Sequence, residues 1–354
     1  MKKITLINYT LNYGGTERFV SNMANFLSDK DYLVYLILLD SSHSKYLITG
    51  HVQILKPNIN RPKNKLLKIF YFLGLFFYLR NKIKTIDPDI VINTAFPAFV
   101  LAAIGNIKQI HISIRCNPEN TTMIEGFKMP LIIRKFFYKR AKSIIAQTAF
   151  ASHYLKNQFR HPNIHIIPNF LDRFHYNNVK RERQILFVGR LIESKGVDYL
   201  INAFVQINIK EWKLIIVGDG PERKKLEELA LYSNCSNNII FTGMQSNVAF
   251  FYQSSEIFAF PTFSEGFPNV LLEAMATPLA CISFDCKAGP SDIITNNVNG
   301  FLVETGNVTE FKCKLHELMT DSYKREAFKK EAIKVRSKYT PDKIVPLYLN
   351  LSSE

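Results

Sequence analysis

The sequence predicts two doubly wound α/β domains facing each other across a cleft. Three observations carry that expectation. Short apolar, strand-like runs alternate with helical patterns through both halves of the chain. Several of those runs stop at a glycine turn and hand over to a helix, as at Gly14-Gly15 and Gly218-Asp219-Gly220. The length, 354 residues, exceeds the usual size of one domain. In such folds ligands bind beyond the carboxyl ends of the strands, so function is sought there.

Composition narrows the class. Hydrophobic residues make up 47% and charged residues 21%, the balance of a globular protein with sizeable cores. Lys2-Lys3 leads directly into a strand with no cleavage site, so no signal peptide is read there. The five cysteines (116, 235, 281, 286, 313) form no CxxC pair and are odd in number, which suits reduced thiols in a cytoplasm. Charge is uneven. Residues 1–180 carry 25 Lys and Arg against 9 Asp and Glu, the remainder 20 against 21, so the first half holds the whole formal excess of +15. A basic half-molecule has an anionic partner to suspect. No aromatic–basic RNA motif, zinc spacing or basic helix-turn-helix signal favours nucleic acid, which leaves an anionic membrane surface.

In the first half, residues 4–8 read as a buried strand, and Gly14-Gly15 opens a helix with apolar positions Phe19, Val20, Met23, Ala24, Phe26 and Leu27. Strand, double glycine, helix lets backbone approach a phosphate. Residues 32–39 form a second strand. Between Lys63 and Lys84 lies an unbroken apolar and aromatic run, 69–79, with Lys63, Lys65 and Lys68 on one flank and Arg80, Lys82 and Lys84 on the other. It is shorter than the ~20 residues a bilayer span needs. It reads either as a fully buried helix or as one dipping into a membrane interface. Strand 87–93 ends at Asn93, and strand 109–115 puts His111, Ser113 and Arg115 on one face and three isoleucines on the other. His111 reads as a structural histidine. Arg115, Asn117 and Asn93, at strand ends, are the candidates for acceptor contact. Residues 134–142 repeat the basic–aromatic mixture, either as a solvated helix face or as a second membrane contact. Strands at 143–147 and 164–169 follow.

In the second half, strand 185–188 leads to Gly189-Arg190 and then Lys195-Gly196, two cations beside a glycine turn. Strand 212–217 ends in Gly218-Asp219-Gly220, and strand 239–243 in Gly243-Met244. The decisive stretch is 260–274. A strand stops at Pro261, a polar turn Ser264-Glu265-Gly266 follows, and a helix starts with Pro268 in its first turn. The leading amides of a helix lack internal partners and carry the positive end of its dipole, which suits a phosphate. Glu265 precedes that helix, and Glu273 lies one turn beyond Asn269 on the same face. Two carboxylates flanking an anion site are acceptors for the hydroxyls of two rings, as in a nucleoside diphosphate sugar; the alternative is that Glu273 merely faces solvent.

Glu265-Gly-Phe-Pro-Asn-Val-Leu-Leu-Glu273 resembles the paired-glutamate motif of the retaining GT-B glycosyltransferases of family 4. Gly189-Arg190 to Lys195-Gly196 is similar to that family's Gly-Arg…Lys-Gly element, and Pro168-Asn169-Phe170-Leu171-Asp172 to its hinge turn, with Phe170 where glycine is usual. The resemblance covers nearly all of the second half; in the first it rests on Gly14-Gly15 and strand order. It implies a GT-B fold with an acceptor-binding Rossmann-like domain at 1–172, a linker at 173–183, a nucleotide-sugar-binding domain at 184–336, and a helix within 337–354 crossing back to the first domain. It implies Glu265, Arg190 and Lys195 as catalytic residues. It places Glu273 on the ribose, and Gly15, Gly266, Phe267, Pro268, Asn269, Gly243 and Met244 around the donor. No metal and no cofactor are implied. The expected substrate pair is a UDP-sugar carrying a hexose or N-acetylhexosamine and a lipid-linked saccharide, on the inner face of the plasma membrane. The rivals are a GT-B sugar-nucleotide epimerase, which would turn over donor alone, and a non-catalytic docking subunit, which would bind no nucleotide.

Overall fold

The structure, a computed structural model, describes the chain except residues 13, 42–43, 60–61, 63, 65–66, 106–108, 121–128, 172–178 and 352–354. Tyr13, the lysines 63 and 65 and most of the expected linker therefore lie outside the described residues. The chain divides into two compact units, Met1–Asp172 with Pro341–Glu354, and Arg173–Thr340.

The first unit is built on a parallel sheet of β1 (Lys3–Asn8), β2 (Leu33–Leu38), β3 (Val52–Leu55), β4 (Ile90–Asn93), β5 (Ile110–Ile114), β6 (Ser143–Ala146) and β7 (Ile164–Ile166), in the order 3-2-1-4-5-6-7. β3 is a short, mostly exposed edge with no strong sequence pattern, and it escaped the sequence reading. The order reverses between β1 and β4, so the Gly14-Gly15 loop after β1 and the turn after Asn93 flank the point where such sheets bind ligands. Helix α1 (Gly15–Ser28) buries its apolar stripe on one side of the sheet, together with the C-terminal helix (Pro341–Asn350), whose Ile344, Val345 and Tyr348 enter the same core. On the other side, α2 (Leu67–Ile86), α3 (Pro97–Ile104), α4 (Leu131–Tyr138) and α5 (Ala149–Phe159) share a second core with Ile110, Ile112 and Ile114.

The polar row on β5 has a structural explanation. His111 is fully buried and its Nδ1 pairs with Ser143 Oγ at 2.8 Å, while its Nε2 has no partner among the described residues. Burial, with smaller contributions from His165 and Lys142, pushes its pKa down to about 4. The ring is therefore neutral when folded, whereas in the unfolded chain it protonates near the ordinary value of about 6.5. The stability this contributes is complete above the unfolded value and is lost as pH falls toward the folded one, an effect on the order of 3 kcal/mol. His111→Asn should flatten the acid side of the curve of melting temperature against pH. A variant curve parallel to that of the parent protein between pH 6.5 and 4 would contradict this.

The second unit has six parallel strands, β8 (Gln184–Val188), β9 (Lys213–Val217), β10 (Ile239–Gly243), β11 (Ile257–Phe260), β12 (Ala280–Asp285) and β13 (Phe301–Glu304), in the order 10-9-8-11-12-13. Its helices in chain order are α6 (Val197–Ile207), α7 (Arg223–Leu231), α8 (Val248–Ser254), α9 (Asn269–Ala276), α10 (Pro290–Ile293), α11 (Val308–Thr320), α12 (Ser322–Ala332) and α13 (Val335–Lys338). The reversal falls between β8 and β11, so the loops following those strands meet at the switch point. The described end of the expected linker belongs to this unit. Arg181 donates to the carbonyls of Ser255 and Thr277, and the Glu182 amide donates to the Ser254 carbonyl at 2.8 Å.

Candidate active site

The β11–α9 loop is set by its own sequence. Pro261 cannot continue the ladder, and α9 begins eight residues later at Asn269. Pro268 is the residue before the helix rather than part of its first turn, with φ −81 and ψ 84, because its ψ is non-helical. A second departure concerns Asn269. Its amide is already taken by the Phe267 carbonyl at 3.0 Å, so the bend itself consumes a donor expected to face phosphate. Among the described residues no hydrogen bond occupies the amides of Gly266, Phe267 or Val270. These amides and the positive end of the α9 dipole are what a helix start can offer an anion. Glu273 lies one turn in and is only 6% exposed, with Thr277 tied to its carbonyl.

The β8 loop brings the cations. Glu193–Lys195 forms one 3₁₀ turn closed by Gly196 at φ +62. That backbone, together with a Cβ that would stand 2.2 Å from the Pro261 carbonyl oxygen, demands glycine. The turn is stitched to the β11 loop, since the Phe263 amide donates to the Ser194 carbonyl at 2.8 Å. Through this docking Lys195 Nζ pairs with Glu265 Oε1, which also accepts from Thr262 Oγ1 at 3.0 Å. Both charged side chains are mostly shielded, 15% and 12% exposed. Arg190 stands exposed on the same loop. Thr262 was missed by the sequence reading; its only signal is its place between Pro261 and the acidic turn.

Gly289, at φ +101, packs behind the helix start, where a Cβ would meet Pro268 Cδ at 2.3 Å. Neighbouring Cys286 is buried, and burial, reinforced by Glu265, pushes its thiol up to about 12, so it is protonated and no nucleophile at neutral pH. At the end of β10, Gly243 gives its carbonyl to the Gly218 amide at 2.9 Å, while Met244 is 55% exposed.

The candidates of the first unit fare differently. Gly15 begins α1, with the preceding Gly14 held by the Tyr46 hydroxyl, which donates to its carbonyl at 3.2 Å. Asn93 is fully buried, and its Oδ1 accepts from the Ala95 amide at 3.2 Å, so it shapes the turn rather than presenting a surface. Arg115 departs most from expectation. Its guanidinium stacks on Phe19 at 3.3 Å and donates to Ser113 Oγ and Tyr348 Oη at 3.3 Å each and to Asn169 Oδ1. Burial lowers its pKa, with Tyr348 and Glu17 opposing. The residue clamps the C-terminal helix. Asn117 stays half-buried at the end of β5, its Oδ1 accepting from the Glu119 amide at 3.0 Å.

Comparison with known proteins agrees with this architecture. Residues 13–173 match the family described as Glycosyltransferase Family 4, and residues 169–335 the family described as Glycosyl transferases group 1. The chain is 30% identical to an uncharacterized glycosyltransferase of Haemophilus influenzae over 88% of each chain. It is 27% identical to the amylovoran biosynthesis glycosyltransferase AmsD of Erwinia amylovora over 97% of each. It is 28% identical to the N-acetylgalactosamine-N,N'-diacetylbacillosaminyl-diphospho-undecaprenol 4-alpha-N-acetylgalactosaminyltransferase of Campylobacter jejuni, over 96% of this chain and 95% of that one. A crystal structure of S. aureus TarM superposes with a TM-score of 0.80 at 18% identity, covering all of both chains. The chain has the GT-B fold and belongs to the family 4 glycosyltransferases: it is a glycosyltransferase.

Proposed function

We propose that this enzyme transfers a hexose or N-acetylhexosamine from a UDP-sugar to a lipid-linked saccharide, with retention of anomeric configuration, in bacterial polysaccharide or O-antigen assembly. The observation that carries the reading is the meeting of Lys195 and Glu265 beside the open amides of the α9 start, with Glu273 buried one turn beyond. The diphosphate would lie on those amides, with Lys195 and Arg190 neutralising it as it departs. Glu273 would accept from the ribose and Glu265 from the transferred sugar. Gly15 is the first-unit residue assigned to the donor phosphates, and Met244 backbone to the base. The bond from C1 to the phosphate oxygen breaks, the acceptor oxygen bonds C1 on the same face, and the acceptor proton passes to the leaving phosphate.

Two cations and a helix start supply the positive charge, so we propose that no metal takes part; transfer should survive a chelator unchanged. The lipid-linked acceptor is supported by the Campylobacter relative, whose name specifies a diphospho-undecaprenol substrate. The UDP donor rests on the stretch from Asp285 to Pro290, which resembles that of relatives using UDP-hexoses or UDP-N-acetylhexosamines. We place the enzyme in the cytoplasm, peripheral on an anionic membrane, Asn117 being the remaining candidate for acceptor contact.

The test is a panel of UDP- and GDP-sugars offered with and without a polyprenyl-diphosphate-linked saccharide, the product's anomeric configuration being read by NMR. Acceptor-dependent transfer of one UDP-sugar with retention is expected. An inverted product, turnover of donor without acceptor to an epimer, or efficient transfer only to free sugars would overturn the proposal.

A further inference from the structure

Helices α2 and α4 leave apolar surface uncovered in a consistent pattern. On α2, Tyr71, Leu75, Leu79 and Ile83 are buried, while Phe70 (71% exposed), Leu73 and Phe77 (64%) form a stripe that continues into exposed Arg80, Asn81 and Lys84. On α4, Ile132 (77%), Ile133 and Phe136 (60%) are exposed, and Lys139 and Arg140 follow, with Arg140 stacked over Phe136 at 5.1 Å. Both helices pack against α3 on one side of the sheet, Phe72 and Phe76 gripping Phe99. Both are crossovers between parallel strands, so both run antiparallel to the strands. Their apolar beginnings therefore point to the strands' carboxyl edge and their basic ends to the other. Neither helix contains an acidic residue.

Apolar and aromatic side chains beside unopposed cations match one occupant chemically, a bilayer with anionic headgroups. Along α2 a groove of about 550 Å³ is lined by Gly74, Phe77, Tyr78, Arg80, Asn81 and Lys84. The Tyr78 hydroxyl is buried with no partner among the described residues. The groove thus offers cations and an amide to a headgroup phosphate. No helix of the described residues is long and apolar enough to cross a membrane, so contact would be on its surface.

We infer that α2 and α4 together form a docking face for anionic lipid, with the Gly74–Lys84 groove taking a lipid phosphate. This rests on the proposal of a lipid-linked acceptor and gives it a geometry. The apolar ends of the two helices sit at the strand edge where α1 and Asn117 lie, so a docked enzyme presents that edge to a membrane-held substrate.

The experiment is flotation of the full chain with vesicles of phosphatidylcholine alone or mixed with phosphatidylglycerol. Binding to the anionic vesicles, weakened by added salt, is expected. Arg80→Gln with Lys84→Gln should lower the partition about 30-fold. Phe70→Ser, Phe77→Ser and Phe136→Ser combined should abolish it, with an unchanged melting temperature confirming the fold. Donor hydrolysis by the same variants should stay at the parent level, so loss of docking and failure of the transfer reading are told apart. Equal binding to neutral vesicles, no binding at all, parent-like binding by the triple serine variant, or a dimer held by this face without lipid binding would overturn the inference.

Discussion

Glu265→Ala is expected to lower transfer about 10²–10³-fold while leaving affinity for UDP unchanged or tighter. Turnover falls because, in the proposed mechanism, Glu265 accepts from the transferred sugar just where charge develops. Affinity does not fall, because this carboxylate is the present partner of Lys195. With Glu265 gone, the lysine is released toward the diphosphate instead of being shared. A carboxylate that only stabilised the loop would behave otherwise, since its removal would loosen the β11 turn and weaken nucleotide binding. Steady-state transfer rates beside calorimetric titration with UDP separate the two cases, and parent-level turnover in the variant would remove Glu265 from the chemistry.

Lys195→Ala should depress transfer by a similar factor, about 10²–10³-fold, but with the opposite sign on binding. Its cation is mostly shielded, held between the Glu265 carboxylate and the face of Phe260 at 5.6 Å, on a turn that Gly196 docks against Pro261. The side chain is thus aimed before substrate arrives. Removing it takes away phosphate charge compensation and leaves Glu265 unopposed beside an incoming dianion, so UDP should bind at least about tenfold more weakly. Because the two side chains touch, their effects should not add. The double variant should recover part of the binding lost in Lys195→Ala, and strictly additive free energies would argue that the ion pair has no part in gripping the donor.

Much of this site was readable because its chemistry is local. A strand that must stop at Pro261, an acidic turn and a helix start lie within fifteen residues, and the cations come from one further loop, so motif spacing specifies them. What escaped the sequence depends on distant partners. Arg115 looked like a ligand contact at a strand end, yet Tyr348, 233 residues away, takes its guanidinium. Asn93 sits at the expected edge, but the turn into α3 folds over it and claims its amide oxygen. Asn269 shows the same limit at short range, since only the backbone reveals that Phe267 occupies its N–H. For α2 the difficulty is periodicity. A run that is apolar on every side has no face to read, and only packing separates the buried Tyr71–Leu75–Leu79 stripe from the exposed Phe70–Leu73–Phe77 one.

The central claim concerns where a donor's phosphates rest, and a crystal structure of the enzyme with UDP tests it most directly. The account predicts phosphate oxygens within hydrogen-bonding distance of the Phe267 or Val270 amide and of Lys195 Nζ, with a ribose hydroxyl on Glu273. Phosphates bound away from the start of α9, with the Lys195–Glu265 pair undisturbed, would contradict it.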